Sequence, residues 1–123
     1  MKNSAIEPIE TKSAPKPVGP YDQAVLVEHW LYCSGQIALD PLTGKMIGEG
    51  KIEEETKQVL KNLIAVVEAA GGTSLNVIRT TIYLTNLNDF SKVNAIYAET
   101  FKGSVCPARA CVEVSNLPKG GKI

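Results

Sequence analysis

Ligand-type residues are scarce in this chain. There is one histidine, His29, and the three cysteines, Cys33, Cys106 and Cys111, contain no Cys-x-x-Cys pair. Tetrahedral zinc needs three or four N, S or O ligands, so no metal is expected. His29 stands beside Glu28 between two apolar runs and reads as a turn residue. The odd cysteine count argues against a disulfide scaffold and fits a reducing compartment. Charge of one sign is also missing: Lys plus Arg and Asp plus Glu both number 13. Such a surface presents no overall field to nucleic acid or to an anionic membrane. Aromatics make up 6% of the chain, and no basic run interleaves with them, so a base-stacking surface is not expected either. No apolar run is long enough to span a bilayer, and Met1 to Glu7 lacks the apolar stretch of a secretory signal. These absences lead to the expectation of a soluble cytoplasmic protein with neither nucleic-acid nor membrane partners.

What is present suits one domain over residues 1–123, long enough to bury a core without staples. Pro8, Pro15, Pro17 and Pro20 preclude a helix in residues 1–20 and predict an extended arm. Gln23–Val27 and Trp30–Ser34 flank Glu28-His29, a connection of hairpin length. From Ile52 to Ala70 the apolar residues recur at helical spacing. Glu53, Glu54 and Glu55 sit in the first turn of that helix, where they read as a solvated, dipole-matched face, and Gly71-Gly72 stops it. Asn76–Thr85 alternates as a strand, with Ile78, Thr80, Ile82 and Leu84 on one side. Asn86 to Asp89 caps a second helix whose stripe is Phe90, Val93, Tyr97 and Phe101, with Asn94 close behind it. Ala108–Ser115 is the last strand. This order predicts an α+β layer, with two helices on one face of a mixed sheet. The half-apolar second face must then be solvated or buried against another chain, and its pattern favours a symmetric homo-oligomer.

The last strand carries the main chemical signal. In Cys106-Pro107-Ala108-Arg109-Ala110-Cys111 the period of two separates Arg109, Cys111 and Glu113 from Ala110, Val112 and Val114. Arg109 therefore does not point with the apolar set. A guanidinium there suits fork-like binding of a carboxylate or phosphate, and equally a surface pair with a nearby glutamate.

Taken in order, Val18-Gly19-Pro20-Tyr21, Cys33-Ser34-Gly35-Gln36, Gly71-Gly72, Thr85-Asn86-Leu87-Asn88-Asp89-Phe90, Val93-Asn94 and Pro107-Ala108-Arg109-Ala110-Cys111-Val112-Glu113 resemble the RidA family, also called YjgF/YER057c/UK114. The resemblance covers nearly the whole chain. It implies a chorismate-mutase-like fold and a homotrimer with sites in the clefts between subunits. It also implies a cofactor-independent hydrolase, a reactive-intermediate deaminase acting on 2-iminobutanoate and 2-iminopropanoate to give 2-keto acids and ammonia. By the same resemblance Arg109 clamps the substrate carboxylate, and the main-chain carbonyl of Cys111 contacts the water or leaving group. Ser34 and Gly35 line the cleft, Tyr21 turns its phenol to the substrate, and Asn94 positions it. Tyr21 also reads as a lid anchor and Asn94 as a helix-surface residue. The thiol of Cys111, without a neighbouring base, is expected to be inert packing. A non-catalytic small-carboxylate-binding or regulatory module is the second functional class these residues suit. Ribonuclease activity, also proposed within the family, is disfavoured by the balanced charge. Family members continue past Lys-Ile with an acidic residue, thought to orient water, and a further strand. The sequence here stops at Ile123, which leaves two expectations: it is shortened, or the protein lacks that acid and its closing strand.

Overall fold

The computed structural model describes residues 5–103 and 105–123, so the first four residues of the expected arm lie outside it. The proline-rich start is extended. Within it Ile6–Ile9 forms β1, which pairs antiparallel with β2 (Ala24–Val27), and β2 pairs with β3 (Trp30–Cys33). Pro8 is tolerated because β1 is an edge strand, with no outer neighbour among the described residues to receive an N–H. The Glu28-His29 connection places Glu28 at φ 54°, the left-handed conformation that two-residue hairpin loops require.

Helix α1 spans Ile52–Ala69 and ends as Gly71 takes φ 91°. Its acidic first turn is not uniformly solvated. Glu53 and Glu54 are exposed, but Glu55 is buried at 1% exposure, and its Oε1 accepts the Lys122 N–H at 2.8 Å. The expectation of a solvated trio fails at Glu55 because a helical first turn points in several directions and Glu55 points inward. Asn62 is buried for a similar reason: its amide donates to the carbonyls of Ile37 (3.2 Å) and Leu39 (2.9 Å), tying α1 to the loop after β3.

Strand β4 covers Arg79–Leu84, shorter than the alternating pattern predicts because Ser74–Asn76 folds into a capped 3-10 turn. A second such turn, Leu87–Asp89, leads into α2 (Phe90–Thr100), and β5 covers Ala108–Glu113. Strands β4 and β5 are parallel, with Thr80 opposite Arg109 and Ile82 opposite Cys111. The fold is the expected two-helix α+β layer with mixed strand directions, divided into a three-stranded and a two-stranded ladder. Helix α1 bridges both. Ile52 and Leu60 join Ile82, Leu84, Val93, Tyr97, Phe101 and Ile123 in one core, and Val66 joins Ile9, Ala14 and Ala24 in another.

Opposite the helices, the strands leave aromatic and aliphatic side chains uncovered. Trp30 (57% exposed), Tyr32 (63%), Tyr83 (49%) and Val112 (42%) all lie on that outer side. Scattered exposed apolar residues are ordinary, but several on adjacent strands mark a contact surface. No helix among the described residues is long and apolar enough to cross a membrane.

Candidate active site

The register of β5 with β4 decides which of its two faces meets the helices. Arg109, Cys111 and Glu113 share a side with Thr80, Ile82 and Leu84, the helix-facing side, whereas Ala110 and Val112 occupy the outer one. Small apolar residues at Ala110 and Val112 were compatible with either side. Arg109 is therefore half-buried beneath α2, not splayed on a free surface.

Its guanidinium carbon lies 4.9 Å from the Tyr97 ring centroid and 5.5 Å from that of Phe90, both within cation–π range. The two rings share a face of α2 because they are seven residues apart, two helical turns. Tyr97 is itself fixed: its hydroxyl and Thr80 Oγ1 lie 2.7 Å apart, and its ring packs on Phe101 at 4.6 Å with a 46° tilt. Arg109 makes no ion pair among the described residues, which removes the reading of a surface pair with glutamate. Glu113, the carboxylate on its own face, bonds instead to the Leu87 N–H. Contacts with ring faces consume no N–H donor, and among the described residues no hydrogen bond or ion pair takes up the Arg109 N–H groups, which suit a planar anion.

Asn94 stands between Phe90 and Tyr97 in the helical repeat. Its Oδ1 is buried and has no hydrogen-bond partner among the described residues. Buried acceptors are nearly always satisfied, which makes this one a candidate contact for a donor brought by a ligand or a second chain. Cys111 packs against the core, where burial pushes its thiol up and the adjacent Arg109 charge offsets part of that rise. Its main chain is a different matter. The N–H groups of Ala108 and Val114 bond to the carbonyls of Ile78 and Leu84 on the β4 side, so the alternation of the ladder turns the N–H and C=O of Arg109, Cys111 and Glu113 to the other edge of β5, which among the described residues has no strand beside it. At any neutral pH a raised thiol holds less thiolate. Iodoacetamide is thus expected to label exposed Cys106 several-fold faster than the half-buried Cys111. Equal rates, read by peptide mass spectrometry, would make the Cys111 thiol a reactive group after all.

Tyr21, Ser34 and Gly35 form a second group, at the arm and the end of β3. Tyr21 Oη accepts the Val18 N–H at 3.2 Å, and its ring folds back over Gly19, where a Cβ would come within 3.3 Å of it. Its O–H remains available to donate. Ser34 Oγ donates to the Asp22 carbonyl at 2.6 Å. Gly35 is open, with nothing within 4 Å of where a Cβ would stand. Tyr21 and Gly35 line a small cavity of about 80 Å³ together with Lys16, Val18 and Gln36. Gln23, which the sequence reading passed over, secures this region: its buried amide accepts from Thr11 N and donates to the carbonyls of Thr11, Ala14 and Pro15. Only its place next to a proline-rich arm hinted at that role.

The expected site residues thus fall into two clusters, Arg109 with Asn94 and Cys111, and Tyr21 with Ser34 and Gly35. Among the described residues no hydrogen bond joins one cluster to the other. Thr80 and Tyr97, which hold the arginine, read from sequence only as strand and core positions.

The fold and site define a class: a small two-helix α+β layer with an uncovered sheet face and a ring-backed arginine that makes no ion pair among the described residues. Comparison makes that class specific. The family described as Endoribonuclease L-PSP matches residues 11–123. A RutC family protein of Synechocystis is 52% identical over 111 residues, 90% of this chain and 85% of that protein. The human protein named 2-iminobutanoate/2-iminopropanoate deaminase is 48% identical over 115 residues, 94% of this chain and 82% of its own length. The crystal structure of a conserved Rid-family protein of Yersinia pestis superposes with a TM-score of 0.93 at 51% identity, covering 96% of this chain and 93% of that one. The chain belongs to the RidA family.

Proposed function

We propose that this protein is a 2-iminobutanoate/2-iminopropanoate deaminase, hydrolysing reactive enamine and imine acids to 2-keto acids and ammonia without a cofactor. The observation that carries the reading is the Arg109 guanidinium, set within cation–π range of Tyr97 and Phe90 and making no ion pair among the described residues. Support comes from relatives named for this activity in human and rat, each 48% identical.

The chemistry asks little of the protein beyond placement. Arg109 holds the carboxylate bidentately and fixes C2 relative to the open edge of β5. Water adds its oxygen to C2 as the C=N electron pair moves to nitrogen, and the proton the water loses is replaced on nitrogen through solvent, giving the carbinolamine. Its nitrogen then takes a second proton from solvent and leaves as ammonia with the C–N electron pair, while the hydroxyl gives up its proton and the C–O bond becomes the keto carbonyl. Asn94 Oδ1 and the Cys111 carbonyl are acceptors suited to the N–H groups of this sequence. Tyr21 offers its O–H from the other cluster. Positioning alone accounts for large accelerations when it replaces a bimolecular encounter. The two clusters meet when the outer sheet faces pack in a homotrimer, so that one protomer supplies Arg109 and its neighbour supplies Tyr21, Ser34 and Gly35.

The test is loss of 2-iminobutanoate generated in situ, with semicarbazide competing for the imine. The expected result is diversion of most of the imine from semicarbazone to 2-ketobutanoate. A second reading, a binding module without turnover, draws on the structure of Escherichia coli TdcF with bound serine, TM-score 0.90 at 36% identity, covering 94% of this chain and 91% of that one. Saturable 2-ketobutanoate binding together with an unchanged semicarbazone yield would decide for that reading.

A further inference from the structure

Glu113 is a charged side chain on the Arg109 face that the proposed chemistry leaves unused. It sits at the last rung of β5, opposite Leu84, and its Oε1 accepts the Leu87 N–H at 2.8 Å across 26 residues of sequence. That N–H opens the 3-10 turn Leu87–Asp89, and Phe90, the first residue of α2, follows the turn directly. Asn86 Oδ1 accepts the Asn88 N–H at 2.9 Å and so closes the turn on itself, but Glu113 is the group that ties it to β5. The two rings behind Arg109 are held very differently. Tyr97 is buried, bonded to Thr80 and packed on Phe101, whereas Phe90 is 39% exposed and stands at the helix end.

From this we infer that Glu113 is a positioning residue for Arg109: by anchoring the start of α2 to the strand that carries the arginine, it sets the Phe90 ring and hence the plane of the guanidinium. The inference rests on the reading of Arg109 as the carboxylate clamp. What it requires of Glu113 is an acceptor at a given reach. Gln keeps both acceptor and reach, Asp keeps the charge but falls one methylene short, and Ala loses everything.

The experiment has a ligand-free arm and a kinetic arm. In the free protein, the Arg109 Nε–Hε resonance reports stacking through its ring-current shift. In the assay with 2-iminobutanoate, KM and kcat are read separately. Glu113→Ala and Glu113→Asp are both expected to move the resonance toward its unstacked position and to raise KM about fivefold with kcat within about twofold, and Glu113→Gln to restore both. Asp covers the case in which the Ala variant does not fold. An unmoved resonance in both the Ala and Asp variants would overturn the inference. So would a Gln variant as impaired as Asp, since charge and not anchoring would then be at work. A shifted resonance in a protein whose wild type neither binds 2-ketobutanoate nor turns over imine leaves the anchoring role standing and removes the proposed function instead.

Discussion

Arg109→Ala is expected to lower kcat/KM for 2-iminobutanoate by at least about 10²-fold, since a bidentate charge-assisted pair contributes about 1.5–3 kcal/mol per bond. Arg109→Lys should recover little. An ammonium is a point charge on a flexible stem. It presents no planar fork and cannot both reach the ligand bidentately and keep the ring contacts that Arg109 makes at 4.9 Å from Tyr97 and 5.5 Å from Phe90. The folded state should survive both changes, because Arg109 is only half-buried and makes no ion pair among the described residues. Circular dichroism of each variant separates lost chemistry from lost structure. A Lys variant within a few-fold of wild type would mean that the site needs positive charge alone, and the stacked geometry would have no part in binding.

The helices were legible because their pattern is local: an acidic first turn, a stripe at 3.6-residue spacing and glycine stops place α1 and α2 within a residue or two. Arg109 stood out because a long cation in a strand of small residues has few structural uses. Which side of β5 faced the helices was not legible. Ala110 and Val112 are small enough for an exposed face, and only the register with β4 decides that Arg109 and Cys111 join Ile82 on the inner one. Glu55 was misread for a related reason. A carboxylate in a first turn fits the helix dipole whether it faces water or the interior, and its partner, the Lys122 N–H, lies 67 residues away. The ties of Thr80 to Tyr97 and Glu113 to Leu87 were hidden in the same way, since pairing across 17 and 26 residues leaves no periodic trace.

The separation of the site residues into two clusters gives the largest qualitative prediction. If each working site joins Arg109 of one protomer to Tyr21 of the next, then Arg109→Ala and Tyr21→Ala proteins, each inactive alone, should regain activity when unfolded together and reassembled. In a random trimer of equal parts, a site is intact when its arginine donor and its tyrosine donor are both unaltered at that position. This occurs for about a quarter of sites, so about a quarter of wild-type activity should return. Sites built within one protomer would regain none. The same logic gives a control through the outer sheet face. Val112 is 42% exposed there and neighbours Tyr83 in the ladder, so Val112→Glu places a charge on the surface that the subunits are proposed to bury without disturbing the inner core. Light scattering should then report monomers, turnover should be lost with the trimer, and the mixing experiment repeated in that background should return nothing. Full activity in a monomeric Val112→Glu protein would place the whole site inside one chain, and the two clusters would have to meet by a movement of the arm instead.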